Sequence, residues 1–420
     1  IYRHRIGTPI KEDLLIYEEK DEGFTCSIGI SSDEKYYIIG TSDHTSSEIY
    51  FFGVNEISPE PKLFKRREKE IKYSIDSWKG NFFIHTNLDA EDFKICICKH
   101  NNVKKWQDYI TATNGVLIGG FDLLNEWMVR SEVRDALSKI YVRNLNTNVE
   151  EELVITDAKV ISSGTSLMQK DRNTNKIYVA YNSPKIPGKS YIYNIVTKEK
   201  TLVKEEVVPS GHRSDDYIVE RLNCDSHDGK KIPLTITRHK KTKLDGSANL
   251  LLYAYGSYGA SMGPGFSSSR LSLINRNIIW VTAHIRGGME RGMSWWKEGK
   301  MLNKKNTFED YISSAKFLID KKYTGKGKII GLGGSAGGLL MGVVVNQAPQ
   351  LFLGMIMAVP FVDTLTTNLD HSLPLTVGEF NEFGNAKENK KHFDYIRSYS
   401  PYENKKQIVY PHILITTSLS

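Results

Sequence analysis

The segment Lys328-Ile-Ile-Gly-Leu-Gly-Gly-Ser-Ala-Gly-Gly-Leu-Leu-Met341 decides how the rest of the chain is read. Ile329 and Ile330 suit a buried strand, and the glycines that follow suit a tight turn. Leu339, Leu340, Met341, Val343, Val344 and Val345 suit a helix buried on most sides. One serine, Ser335, stands at the tip in the pattern Gly333-Gly-Ser-Ala-Gly337, which has the layout of a nucleophile elbow. On such a turn the serine backbone is strained, and the residues two before and two after it pass close together. Side chains at Gly333 or Gly337 would clash there, and Gly334 completes the turn. The helix starting near Ala336 aims its N-terminus at the serine, so the Ala336 N–H is a natural donor to a developing oxyanion.

Other readings compete. The pattern G-x-S-x-G is short, and Gly259-Ala-Ser-Met-Gly263 fits it too, with Ser261 at the centre. Ser261 is followed by Gly263-Pro-Gly265 and three serines, a run that reads as unable to start a helix. Gly331-Leu-Gly-Gly-Ser-Ala336 also resembles a dinucleotide fingerprint. That motif calls for an acid about 20 residues on, whereas the candidate, Asp363, lies roughly 30 on. A purely structural glycine turn remains a third reading.

Away from the turn, two textures divide the chain near residue 205. Before it, short apolar runs resemble one another at intervals: Ser47-Glu-Ile-Tyr-Phe-Phe52, Phe93-Lys-Ile-Cys-Ile-Cys98, Ser138-Lys-Ile-Tyr-Val-Arg143 and Ser190-Tyr-Ile-Tyr-Asn194. Others lie between them, such as Lys35-Tyr-Tyr-Ile-Ile39, Asn81-Phe-Phe-Ile84 and Glu126-Trp-Met-Val129. Several short strands per period predict propeller blades, about four of them, with a generic β-sandwich as the alternative. After residue 205 the spacing predicts a hairpin around Asp228-Gly229. Buried strands follow at 250–254, 278–281, 329–330, 355–359 and 413–415. A helix is expected from Asn306, with Glu309 as its capping partner and Phe308, Ile312, Ala315 and Ile319 on one face. Strands alternating with helices predict a mostly parallel sheet covered on both sides. The expected division is a partial β-propeller domain over 1–205 and an α/β-hydrolase domain over 206–420.

Composition bounds the function. At 420 residues the chain is long enough for two or three domains, and no apolar run reaches membrane-spanning length. A net charge of +7 invites a nucleic-acid reading. The lysines are dispersed, however, and the densest run, Arg238-His-Lys-Lys-Thr-Lys243, has no interleaved aromatics for base stacking, so no nucleic-acid partner is expected. Cys26, Cys96, Cys98 and Cys224 lack metal-site or disulfide-scaffold spacing. Buried free thiols in a reducing, cytoplasmic setting are expected, with no metal or organic cofactor. The chain begins at Ile1, so a leader upstream stays an open possibility.

The chain resembles the prolyl oligopeptidase family of serine peptidases, and its oligopeptidase B branch in particular. The resemblance rests on Tyr255-Gly-Ser-Tyr-Gly-Ala260, Phe266-Ser-Ser-Ser-Arg-Leu-Ser-Leu273, Ile285-Arg-Gly-Gly288 with Glu290, and Lys304-Lys-Asn-Thr-Phe308. It continues through Gly333-Gly-Ser-Ala-Gly-Gly338, Pro360-Phe-Val-Asp363, Pro374-Leu-Thr376 with Gly378-Glu-Phe380, and Ser398-Tyr-Ser-Pro-Tyr402. Tyr2-Arg-His-Arg-Ile-Gly-Thr8 and Ile16-Tyr-Glu-Glu-Lys20 extend it into the first half.

The resemblance implies a propeller capping an α/β-hydrolase domain, with cleavage of short peptides or unfolded segments after Arg or Lys. It makes Ser335 the nucleophile and Tyr255 the hydroxyl that completes the oxyanion hole with the Ala336 N–H. Read without it, the plain alternative for Tyr255 is a core tyrosine at a strand end. It makes Glu379 the acid for a basic P1 side chain, with Glu382 close by and Phe380 on the pocket wall. The plain alternative is a surface glutamate. The sequence departs from the branch at Gly263 and Gly265, where an Asp-x-Asp pair is associated with a basic P2 residue, and at Asn381, where a further acid is common. A preference for single basic residues is therefore expected.

The resemblance places the catalytic acid and a substrate-binding arginine directly after Ser-Leu-Ser420, and the histidine later. His371, His392, His412, Asp363 and Asp370 precede that point and fail on order. A serine without its base is a weak nucleophile, so these 420 residues alone are expected to be a truncated, poorly active hydrolase. A separately encoded C-terminal segment is a candidate partner to complete it. The alternatives are a prolyl or acylaminoacyl peptidase of the same family and a non-catalytic split-gene remnant.

Overall fold

Adjacent aromatics in the first half sort to opposite sides of their strands, and this builds the architecture. In the computed structural model, which describes residues 1–167 and 172–418, Phe82 packs with Ile49, Phe51 and Ile84 while its neighbour Phe83 packs with Ile118 and Met128. A strand places successive side chains on opposite faces. Each sheet can therefore bury one face against the sheet before it and the other against the sheet after it.

Among the described residues there are four four-stranded antiparallel sheets, spanning 25–65, 73–110, 116–152 and 162–205. The four self-similar runs are the third strand of each: Ser47–Gly53, Lys94–Lys99, Leu137–Asn144 and Ile186–Asn194. The runs between them are second strands, Tyr36–Ser42, Asn81–Thr86 and Trp127–Arg134. Cys96 and Cys98 share one buried face, as their alternation with Ile95 and Ile97 implies. Cys224 is buried too, but Cys26 is exposed, a correction to the expectation of four buried thiols, because its whole strand Thr25–Ile30 is open to solvent.

The second half forms one seven-stranded sheet. Its order is 217–225, 231–239, 279–283, 250–253, 329–334, 352–358 and 412–416. The first three pair antiparallel and the rest run parallel. Helices Lys305–Asp320 and Ala336–Gln347 cover one face, and helix Ser268–Ile274 covers part of the other.

Two local expectations need correction. The long helix begins at Lys305 with no side-chain cap, and Asn306 instead donates from its amide to the Glu298 carbonyl at 2.9 Å. The serine run after Gly265 does start a helix, at Ser268 with Ser267 as N-cap residue, because the buried Leu271 and Ile274 give it a face to pack. The segment expected to precede a catalytic acid ends in Leu419 and Ser420, which lie outside the described residues.

Residues of the second, third and fourth small sheets grip the loops on either side of strand 279–283. The buried Asp92 carboxylate accepts from the N–H of Met293 and of Gly115, both at 2.6 Å. Asp135 accepts from Arg291 at 2.7 Å, and the Ala136 N–H donates to the Glu290 carbonyl at 2.9 Å. The amide oxygen of Asn182 accepts from the Phe266 N–H. Among the described residues no helix is long and apolar enough to cross a membrane, and no group of three or more His, Cys, Asp or Glu could hold a metal ion.

Candidate active site

Ser335 has φ 54° and ψ −118°, a conformation that costs a non-glycine residue about 1–3 kcal/mol. It is kept there by four backbone bonds. Its N–H donates to the Ala358 carbonyl at 2.9 Å, and its carbonyl accepts from the N–H of Gly338 at 2.8 Å, of Leu339 at 3.2 Å and of Phe361 at 3.1 Å. The residue itself is exposed. A Cβ on Gly333 would collide with the Gly337 carbonyl, and one on Gly337 would lie 3.0 Å from the Ala254 carbonyl oxygen. Gly338 is held as tightly, 2.5 Å from Pro360. Gly334 is different: a Cβ there meets nothing nearer than 3.4 Å, so sterics do not demand glycine at that position.

The Tyr255 phenol lies beside the Ser335 side chain. Burial pushes the phenol pKa up, the adjacent Ser335 opposes this, and the nearby Glu382 and Glu379 add to the rise. Tyr255 thus stays a proton donor at neutral pH. The Ala336 N–H opens the helix Ala336–Gln347 and has no acceptor among the described residues. The structure brings the hydroxyl, the phenol and the helix N-terminus together at one point.

Among the described residues no histidine hydrogen-bonds Ser335. His371 lies tilted against Phe380 with centroids 5.0 Å apart, and His392 accepts from the Asn385 N–H through Nδ1. Asp363 sits at the N-terminus of helix Thr364–Leu369, and His412 lies exposed on the edge strand.

The two candidate acids have different environments. Glu379 is half-buried and accepts from the Tyr258 hydroxyl at 2.9 Å. Burial raises its pKa above the ordinary carboxyl range, the Tyr258 bond opposes that, and Glu382 adds to it. Tyr258 lies beside Tyr255, ring centroids 6.3 Å apart. Phe380 is half-buried next to Glu379. Glu382 is only 3% exposed, and both its oxygens are engaged, by Trp296 Nε1 at 2.8 Å and by Lys304 Nζ at 3.5 Å. It therefore offers no free carboxylate. The buried Lys304 also donates to the Gly256 carbonyl at 2.7 Å and to Ser257 Oγ at 2.6 Å, tying Glu382 to the backbone next to Tyr255.

Sequence reasoning passed over Tyr258, Lys304 and Trp296 as parts of this site. Lys304 and Tyr258 lie inside quoted motifs, but nothing local marks them as partners of Glu382 and Glu379. It also left Glu290 without a role. Glu290 is buried, accepts from the Met262 N–H at 2.8 Å and has one oxygen without a partner, so burial pushes its pKa up to about 7.

Fold and site together define an α/β-hydrolase joined to a β-propeller. Residues 1–206 match the prolyl oligopeptidase N-terminal β-propeller domain, and residues 264–420 match the prolyl oligopeptidase family. Dipeptidyl aminopeptidase BI of Pseudoxanthomonas mexicana is 38% identical over 99% of this chain and 57% of its own length. Protease 2 of Moraxella lacunata is 34% identical over 100% of this chain and 60% of its own. The structure of oligopeptidase B from Trypanosoma brucei with covalently bound antipain, in a closed form, superposes with a TM-score of 0.94 at 32% identity, covering 99% of this chain and 60% of that one. The chain belongs to the prolyl oligopeptidase family of serine peptidases and spans 57% and 60% of the length of the two curated relatives.

Proposed function

We propose that these residues supply the nucleophile and the P1 pocket of an oligopeptidase that cleaves peptides after Arg or Lys. The observation behind the reading is the strained, exposed Ser335 held beside the Tyr255 phenol and the free Ala336 N–H. Ser335 attacks the scissile carbonyl and the two donors stabilise the oxyanion; the C–N bond breaks, the amine fragment leaves with the proton given up by the serine, and water then cleaves the resulting ester to release the acid and restore the hydroxyl. Glu379 receives the basic P1 side chain, since a carboxylate takes a guanidinium by two parallel charged bonds. Phe380 flanks it. Glu382 acts from behind, through Lys304.

The same reading covers the finer points. With no histidine on Ser335 among the described residues, these 420 residues hydrolyse peptides slowly or not at all until an acid and a histidine are supplied, for instance by a separately encoded segment. The four small sheets belong to a larger propeller that limits access to short peptides and unfolded segments. Residues 1–205 act as the propeller domain and 206–420 as the hydrolase domain, in the cytoplasm, without metal or organic cofactor. Single basic residues are preferred over dibasic ones.

The test is an assay of the longer gene product on blocked arginyl, prolyl and acylaminoacyl fluorogenic peptides, with fluorophosphonate labelling of Ser335. Arginyl cleavage at least about tenfold faster than prolyl supports the reading, and Tyr255→Phe should lower kcat about 10²–10³-fold. Absent labelling would mean a non-catalytic remnant. The 38% identity to a dipeptidyl aminopeptidase favours one second reading, release of dipeptides from a free N-terminus. Loss of cleavage on blocking that N-terminus would select it.

A further inference from the structure

A cavity of about 670 Å³ opens between the loop at Ser261–Gly263 and one face of the seven-stranded sheet. Arg270, on helix Ser268–Ile274, lines it. Its guanidinium lies over the Trp280 ring, 4.6 Å from the centroid, and Nη1 donates to the Gly265 carbonyl at 2.9 Å. Among the described residues no carboxylate forms an ion pair with it. The comparison within the molecule is direct. The buried Arg130 holds Glu132 and Glu150, and the buried Arg286 holds Asp228 and Asp310. Arg270 is desolvated without such a partner, and burial pushes its pKa down.

A second donor stands beside it. The Tyr253 hydroxyl, close enough to interact electrostatically with Arg270, has only the Met262 sulfur as acceptor, at 3.4 Å. A thioether is a weak acceptor, so the O–H remains available. Trp280 and Leu332 supply apolar surface to the same cavity, which Ser261, Ser267 and Ser269 also line. Across it, Gly263 contributes no side chain. A half-buried cation with an unspent planar fork, an idle hydroxyl and an apolar wall suit a carboxylate on a short aliphatic stem.

We propose that Arg270 and Tyr253 form a binding site for a peptide carboxylate, either that of an Asp or Glu residue or that of a free peptide C-terminus. That the carboxylate belongs to a peptide rests on the reading of Ser335 as a peptidase nucleophile. The anion site itself does not depend on turnover. A cation at this position also disfavours a second basic residue in the substrate.

The test is calorimetric titration of the protein with N-acetyl-Ala-Glu-Ala-amide, N-acetyl-Ala-Ala-Ala with a free C-terminus, the neutral N-acetyl-Ala-Gln-Ala-amide, and inorganic phosphate. One or both acidic peptides should bind at least about tenfold tighter than the neutral one, and more weakly as salt rises. The tighter acidic probe identifies the source of the carboxylate. Arg270→Gln should abolish the preference. Because that change also removes the contact with Trp280, Gly263→Asp provides an independent check. Its new Cβ meets nothing nearer than Ser162 Oγ at 3.5 Å, and its charge should cancel the preference with the fold intact. Equal binding of acidic and neutral peptides, no binding of either acid, or an unchanged preference in folded Gly263→Asp overturns the site. Phosphate binding as tightly as the acidic peptides overturns its assignment to peptides. An acid preference in a protein whose Ser335 stays unlabelled by fluorophosphonate even when an acid and a histidine are supplied would sink the peptidase reading and leave the site standing; labelling without the preference would do the reverse.

Discussion

The serine turn at 333–338 and the acidic segment at 379–382 both bear on Tyr255, yet they are held in opposite ways. The turn is fixed by backbone. Its conformation follows from four main-chain hydrogen bonds and from glycines that leave room for carbonyls. The acidic segment is fixed by side chains brought from elsewhere. Glu379 and Glu382 are the same residue type three positions apart, and distant partners decide that one accepts from a tyrosine while the other is locked to a lysine and a tryptophan. A nucleophile turn is thus a local code, while a binding acid is defined only by its surroundings.

The sharpest way to break that contrast is inside the turn. Gly333→Ala should cost about 4 kcal/mol or more, enough to unfold the hydrolase half, whereas Gly334→Ala should stay within about 1 kcal/mol. Urea unfolding of the two variants decides it, and equal costs would refute the steric account.

Next comes the buried pair. Lys304→Met leaves Glu382 charged and uncompensated in the interior, which should destabilise by about 3–5 kcal/mol. Adding Glu382→Gln should recover part of that loss, while Glu379→Gln alone should change thermal stability by no more than about 1 kcal/mol. A Lys304→Met variant as stable as the parent would show that Glu382 is not held by charge.

Glu290 extends the comparison to pH. Its folded pKa, near 7, lies above the ordinary 4.5 because burial penalises the carboxylate. The folded state therefore binds the extra proton between those values. Stability is fully present below about pH 4.5 and falls as pH rises to about 7, by about 3 kcal/mol in all. Glu290→Gln should flatten that slope in denaturation curves recorded across the window. A slope unchanged by the substitution would locate the titration elsewhere.

The smallest effect is expected at Tyr258→Phe. It removes the donor to a half-buried carboxylate and should cost about 1 kcal/mol, with the Glu379 pKa rising as its bond is lost. Carbonyl infrared spectroscopy of the Glu379 side chain against pH reads that rise directly.

Much of the fold was legible because its signals are local. Self-similar apolar runs at intervals marked the third strand of each small sheet, and strand–glycine–helix order marked Ser335. The serine run at 267–269 misled because a propensity for turns was outweighed by burial of Leu271 and Ile274. Cys26 misled because a strand-like residue pattern does not say which strands lie at the open side of a stack. By itself, then, the sequence determined the order of elements, the conformation of the nucleophile turn and the family, since each depends on residues adjacent along the backbone. Only the tertiary structure decided which acid stays available, which lysine is spent in the interior and which arginine is left without a counter-charge. Those outcomes depend on desolvation and on partners tens of residues away, and neither is written in local order.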